Sequence, residues 1–154
     1  MELREKMKIV PILNTANYGD GVDFDSIDMK NYHHATVVLT FGAITGNAVL
    51  TVNTGTTNAA KTRQMTLGFR YGATATIGST SSDVLTSVTA AASHTMTGAT
   101  YQNRIAIFEI PADKMTAGDR YLTLALSNAA TNGICHAVAI LWPRYSGNVM
   151  ATAV

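Results

Sequence analysis

From Asn31 to Ala60 the chain carries not one Asp, Glu, Lys or Arg; only Asp83 falls between Tyr71 and Asn103, and only Arg144 between Tyr121 and the end. Charged residues make up 14% of the whole while 47% are hydrophobic, where an ordinary soluble domain carries roughly 25% charge. So few ions cannot clothe a fold in solvated charge, and most of the outer surface is expected to be Thr, Ser, Asn and Ala. Such a surface costs little to desolvate because it lacks long charged side chains, and it suits permanent contact with neighbouring subunits.

The charge-free spans are patterned with a period of two, and runs of the helix formers Glu, Lys and Leu are nearly missing after the first turn or two. Both point to strands. Alternation is clearest from Arg63 to Tyr71, where Met65, Leu67, Phe69 and Tyr71 share one side and Thr66, Gly68 and Arg70 the other, as in a half-buried strand. The same period runs through Ala48 to Val52, Arg104 to Ile110 and Tyr121 to Ser127. Ala35 to Phe41 and Ala137 to Trp142 are more continuously apolar and read as central strands covered on both faces, one cover being a candidate neighbouring subunit.

Turn-rich pieces separate these runs: Asn17 to Gly21, Gly42 to Asn47, Asn53 to Asn58, Gly72 to Ser82, Thr97 to Thr100, Pro111 to Asp119 and Asn128 to Gly133. Short strands joined by regular turns predict an all-β fold, an antiparallel sandwich or barrel, and with about eight to ten strands a single antiparallel β-sandwich of jelly-roll type is the first choice. Pro111 to Met115 predicts a single helical turn. A chain of 154 residues fits one domain over residues 1–154, with residues 1–8 as a charged N-terminal arm.

A net charge of +1 and a pI near 7.9 generate no field that would gather nucleic acid or an anionic membrane. No apolar run approaches the ~20 residues a spanning helix needs. The stretch Ile9 to Leu13 after the charged start is too short for a signal-peptide core and contains Pro11, so no secretion signal is read. The lone Cys135, set in the apolar run Ile134 to Trp142, has no partner for a bridge and reads as a small buried hydrophobe.

Candidate chemistry is sparse. His33 and His34 are adjacent at a strand entry, so their side chains leave on opposite faces and do not grip one metal; the same geometry separates Cys135 from His136, and spacing gives no support to a composite zinc site with His94. The acids Asp20, Asp23, Asp25 and Asp28 crowd a turn, as a calcium ion would want, but they lack a terminal bidentate glutamate. Val22 and Phe24 alternate with Asp23 and Asp25 as a strand would, which puts the acids on a solvated face, available to Arg or Lys of a neighbouring subunit. No nucleophile elbow, phosphate loop or paired-cysteine motif is present, so no catalytic residue, metal or cofactor is assigned and a non-enzymatic role is expected. Tyr18, Tyr32, Tyr101, Trp142 and Tyr145 are the candidates for a sugar-stacking platform, with core or interface packing as the plainer role.

The run Lys8 to Ile12, the stretch Lys30 to Gly46, Ala106 to Ile110 before a short acidic turn, and Ala137 to Tyr145 together resemble small phage and prophage structural proteins, the auxiliary capsid proteins also called decoration or cement proteins. The similarity is a pattern of strands and turns over nearly the whole chain. It implies a β-sandwich without an active site, made in the host cytoplasm, whose homo-oligomers, often trimers, seat on the major capsid protein at the outer surface of the head and strengthen the shell. The charged arm, with Glu2, Arg4, Glu5, Lys6 and Lys8, is the segment expected to reach a neighbour or the shell. A head fibre, a tail component and a carbohydrate-binding module for host adsorption are the alternatives.

Overall fold

Strands with one apolar side leave that side wet until a second sheet covers it. In the computed structural model, which describes residues 6–74, 84–127, 133–145 and 153–154, two antiparallel sheets pack against each other as a sandwich. The strands among the described residues are β1 (Lys8–Asn17), β2 (Val22–Asp23), β3 (Ile27–Asp28), β4 (Tyr32–Ile44), β5 (Asn47–Gly55), β6 (Arg63–Gln64), β7 (Arg70–Gly72), β8 (Leu85–Ser87), β9 (Ser93–Thr97), β10 (Ile105–Pro111), β11 (Tyr121–Leu126) and β12 (Gly133–Pro143). A one-turn helix, α1 (Gly98–Tyr101), and 3-10 turns at Met29–Asn31 and Ala112–Lys114 join them. The latter is the single turn expected after Pro111.

Sheet I runs β1-β12-β4-β10-β7-β8. In sheet II, β11 and β5 lie side by side, β2 and β3 share the outer edge of β11, and β6 and β9 share the outer edge of β5. The pairings describe a chain doubled back on itself: β1 with β12, β2 and β3 with β11, β4 with β10, and β5 with β6 and β9, all antiparallel. That doubled ribbon, rolled so that successive pairs fall in alternate sheets, is the jelly roll. The pair β7–β8 widens sheet I beyond it.

The core lies between the sheets. From sheet I come Val37, Leu39, Phe41, Ala106, Phe108, Ile110, Ala137, Ala139 and Leu141; from sheet II come Leu50, Val52, Leu122, Leu124 and Met96, all nearly or fully excluded from solvent. Phe69 stacks on Phe108 at 4.8 Å between centroids, and His94 meets Phe69 edge-on at 4.9 Å. The small residues Ala137 and Ala139 face Leu39 and Val37 across β12 and β4, which lets the two central strands carry large side chains on one and small ones on the other without a void.

Three features differ from the sequence reading. The run Arg63 to Tyr71 is not one strand: β6 belongs to sheet II and β7 to sheet I, with Leu67 bridging Ala91 between them. The inward alternation survives, since Met65, Leu67, Phe69 and Tyr71 all pack on the core; the segment crosses the end of the core rather than lining one wall. Gly68 makes the crossing possible, as a Cβ there would sit 2.7 Å from the Val88 carbonyl oxygen. Second, Lys8 to Asn17 is a ten-residue edge strand, so Lys8 is paired opposite Leu141 and is not part of an arm. Third, Asn53, Thr123 and Ser26 are buried polar residues on the outward side of sheet II. The loop from Thr56 to Thr62 lies over them: Ser26 Oγ meets Thr123 Oγ1 at 2.5 Å and accepts the Ala59 N–H, while Lys61 Nζ grips both Asp23 oxygens at 2.7 Å. Every one of these polar groups has a partner, as burial demands.

Candidate functional site

Side chains alternate along a strand, so burying Val37, Leu39, Ala137 and Ala139 turns their neighbours outward. In sheet I those neighbours include an apolar row across the middle of the sheet. Across the middle of the sheet the register sets Pro11 opposite Val138, Val138 opposite Val38, and Val38 opposite Ile107. On one flank Ile9 faces Ile140, and on the other Thr40 faces Ile105. Ile9 is 51% exposed and Ile134 37% exposed. Ile134 lies over Gly42, where a Cβ would approach its side chain to 3.1 Å, so the face stays flat at that end. Sheet II differs: its outward residues include Thr51, Ser93, Thr95 and Ala125. The neutral Thr, Ser, Asn and Ala surface expected from composition therefore covers sheet II, whereas the outer face of sheet I carries an apolar row of Pro, Val and Ile bordered by Thr40 and His136 on one side and Thr36 on the other.

Polar groups border this row: His136 lies opposite Thr40 on one side, and a cluster around Glu109 lies on the other. His34 Nε2 contacts Glu109 Oε2, Thr36 Oγ1 donates to the same oxygen at 2.8 Å, and Trp142 stands edge-on to His34 at 5.3 Å. Glu109 remains 58% exposed in its side chain. Arg70 lies opposite Ile107 at the β7 side. By strand spacing of about 4.8 Å and a rise of about 3.4 Å per residue, the apolar part of the face covers on the order of 300 Å². That is less than half of the ~800 Å² each partner contributes to a durable interface, so it holds a neighbour firmly only in company with other contacts.

Elsewhere three acids are paired with cations of their own chain. Asp119, its side chain fully buried, accepts Arg63 Nη1 at 2.6 Å and Thr54 Oγ1 at 2.5 Å. Asp28 caps the Met29–Asn31 turn by accepting the Lys30 N–H at 3.0 Å, and Arg120 grips the same carboxylate through two nitrogens. The Arg120 hydrogen bond holds the Asp28 carboxyl below its usual 3.8, with the Lys30 N–H adding to it and burial opposing it. Asp23 and Asp28 thus have partners in their own chain, contrary to the expectation that these acids stand open to a neighbouring subunit; Asp20 and Asp25 remain exposed. Among the described residues no three of His, Cys, Asp and Glu gather closely enough to hold a metal ion.

The histidines part company as their alternation requires. His33 Nδ1 lies 3.1 Å from the Pro143 carbonyl oxygen, at the irregularity where β12 skips a residue of β4, while His34 joins Glu109. His94 is buried with Nε2 2.6 Å from the Leu67 carbonyl oxygen. Cys135 is buried and His136 half-exposed on the opposite side of β12. Burial pushes the Cys135 thiol up to about 11, which suits an inert packing residue.

The five aromatic candidates do not form a platform. Tyr32 and Tyr101 are inside the core, Tyr18 packs against it, Trp142 flanks the outer face of sheet I, and Tyr145 stands 73% exposed beyond β12. Of the arm candidates, Glu2, Arg4 and Glu5 lie outside the described residues, Lys6 is exposed and Lys8 is the first residue of β1. The middle of the outer row of sheet I falls on the two runs read from the sequence as covered on both faces, and its half-exposed residues are the ones for which a neighbouring subunit was the candidate cover.

The fold and this face define a jelly-roll sandwich with one neutral polar outer wall and one crossed by an apolar row. The chain matches no protein-family profile, no curated protein and no solved structure.

Proposed function

We propose that the chain is a non-enzymatic structural protein of a phage particle, a decoration or cement protein that oligomerises on the outer surface of the head and stiffens the shell. The observation that carries this reading is the outer face of sheet I, where Pro11, Val138, Val38 and Ile107 form an uninterrupted apolar row across four strands. A lone soluble sandwich gains nothing from such a wall, whereas a subunit in a lattice buries it. The internal pairing of Asp23, Asp28 and Asp119 with cations of their own chain also supports assembly, because it leaves few free ions to desolvate when surfaces meet. The small area of the apolar face fits a part that works by repetition: a weak contact made many times on a symmetric shell gives durable attachment without tight pairwise affinity. The link to phage heads in particular comes from the sequence resemblance, and the partners it brings are other copies of the chain and the major capsid protein.

The test is direct. Purified chain is mixed with expanded heads of the cognate phage that lack it, the heads are pelleted, and bound protein is quantified and located by electron cryomicroscopy. Saturable binding in an ordered array, with heads that then withstand higher temperature, is the expected result. Heads that leave the chain in the supernatant, together with a chain that stays monomeric up to its solubility limit, would overturn the proposal.

A further inference from the structure

At the end of the sandwich where β12 finishes, a cavity of about 300 Å³ is lined by Met29, Lys30, Ala112, Met115, Asp119, Arg120 and Arg144. Three cations around one cleft are a marked concentration in a chain with 11 Lys and Arg in all. Two of the local charges are already matched: Arg120 holds Asp28, and Asp119 holds Arg63. Asp113 and Lys114, on the neighbouring 3-10 turn, are both exposed and offset each other in charge. The surplus therefore comes from Lys30, whose ammonium makes no hydrogen bond or ion pair among the described residues although its charge favours the nearby Asp28 carboxylate, and from Arg144, whose side chain donates from Nε to the Tyr32 carbonyl oxygen at 3.1 Å.

The matching surplus of negative charge sits at the other end. Asp20 tops a tight turn in which the Gly21 N–H donates to the Tyr18 carbonyl oxygen at 2.9 Å, with Gly21 at φ 89°. The turn is pinned to the start of β12, since the Tyr18 N–H donates to the Gly133 carbonyl oxygen at 3.1 Å and the Gly133 N–H to Asn17 Oδ1 at 2.8 Å. Arg144 is pinned just past the end of the same strand, its N–H donating to the Asn31 carbonyl oxygen at 2.8 Å. The whole length of β12, roughly 30 Å at about 3.4 Å per residue, separates the two. Asp20 cannot reach the cleft of its own chain. It is exposed, and it has no side-chain partner among the described residues.

We propose that the cleft formed by Lys30, Arg120 and Arg144 receives the Asp20 turn of a second copy, so that copies join by unlike ends. The inference rests on the reading that the chain assembles with itself, and it names the polar contact that supplements the small apolar face. Two unlike patches joining in this way make a heterologous interface, which closes into a ring or propagates according to the rotation between copies. Complementary surplus charge at the two patches sets the register and rejects like ends.

The test uses the full chain with Asp20→Lys, Lys30→Glu and the double variant, each first shown to melt like the unsubstituted protein. Self-association is followed by sedimentation over a concentration series at low and high salt. Either single substitution is expected to weaken association about tenfold, the double variant or an equimolar mixture of the two singles to restore it, and added salt to weaken only the unsubstituted and rescued forms. If both singles associate as well as the unsubstituted chain while Val138→Asp abolishes association, the cleft has no such role and the proposed function stands. If both singles weaken association but neither the double variant nor the mixture recovers it, the end-to-end pairing is wrong. A chain that is monomeric throughout defeats the end-to-end pairing, and head pelleting then decides the proposed function by itself.

Discussion

Val38 and Val138 face each other across β4 and β12 at the middle of sheet I, half-exposed on its outer side, while their chain neighbours Val37 and Ala139 are fully buried on the inner side. At this point the two central strands carry apolar residues on both sides, and the outer pair is only half-covered in the single chain.

Val138→Asp is expected to abolish self-association and head binding, because it sets an unpaired carboxylate in the middle of the surface to be desolvated. The fold should tolerate it, with a loss of less than about 1 kcal/mol, since the side chain reaches solvent in the lone subunit. Sedimentation and head pelleting check the first outcome and thermal denaturation the second. An unfolded variant would mean that this side of β12 is buried by the chain itself.

Adjacent residues on β10 should differ sharply. Phe108 is fully buried and stacks on Phe69 at 4.8 Å, so Phe108→Ala should cost about 3–5 kcal/mol. Ile107 is half-exposed on the outer wall, and Ile107→Ala should cost the isolated chain less than about 1 kcal/mol. Urea denaturation of both variants at a concentration where the chain is monomeric provides the comparison.

The Asp28–Arg120 pair should shape the acid limb of stability. The Arg120 hydrogen bond, helped by the Lys30 N–H, holds the Asp28 carboxyl below 3.8, so the folded state binds that proton less tightly than the unfolded chain does. Its stabilisation is therefore complete above about pH 4 and lost as pH falls through the lower folded-state value. Asp28→Asn should lower stability at neutral pH and flatten the decline as pH falls below 3.8. Thermal melts across that range decide it, and an unchanged acid limb would assign the decline to other carboxylates.

Cys135 should be silent toward thiol reagents in the native protein. Burial raises its thiol from 9.0 to about 11, and the neutral form is the one that fits beside the core. Labelling at mildly alkaline pH should proceed only at the rate of opening and become immediate in denaturant. Because the folded state holds this proton more tightly, its contribution is whole below the ordinary value of 9.0 and fades as pH rises toward 11. Rapid stoichiometric labelling under native conditions would show that the interior at Cys135 is open.

Much of the sandwich was legible because strand alternation is a local property. Tyr121 to Ser127, Arg104 to Ile110 and Ala137 to Trp142 fall on β11, β10 and β12 within a residue or a few at each end. Edge strand β1 escaped because Pro11 and two register irregularities blur its period, and those same features protect an edge from adding strands. The break between β6 and β7 escaped because the inward alternation of Met65, Leu67, Phe69 and Tyr71 runs straight through it; nothing local distinguishes a strand along one wall from a segment crossing between walls. At the candidate site, the successive apolar residues Val37 and Val38 on β4 and Val138 to Leu141 on β12 were readable, with the half-exposed outer row as their consequence. That Lys30, Arg120 and Arg144 share one cleft was not readable, since they are brought together by the 3-10 turn after β3, the start of β11 and the end of β12.

By itself the sequence determined the class of structure, because a period of two, few ions and turn residues at close intervals admit a β-sandwich and little else. It also determined which strands lack a wet side, since that depends only on successive apolar residues. The tertiary structure decided which wall of the sandwich remains open, which acids are spent on cations of their own chain and which charges are left at opposite ends. Those outcomes depend on pairings between residues as far apart as Pro11 and Val138 or Asp28 and Arg120, and no local pattern encodes a contact whose partner is chosen by how the doubled chain rolls up.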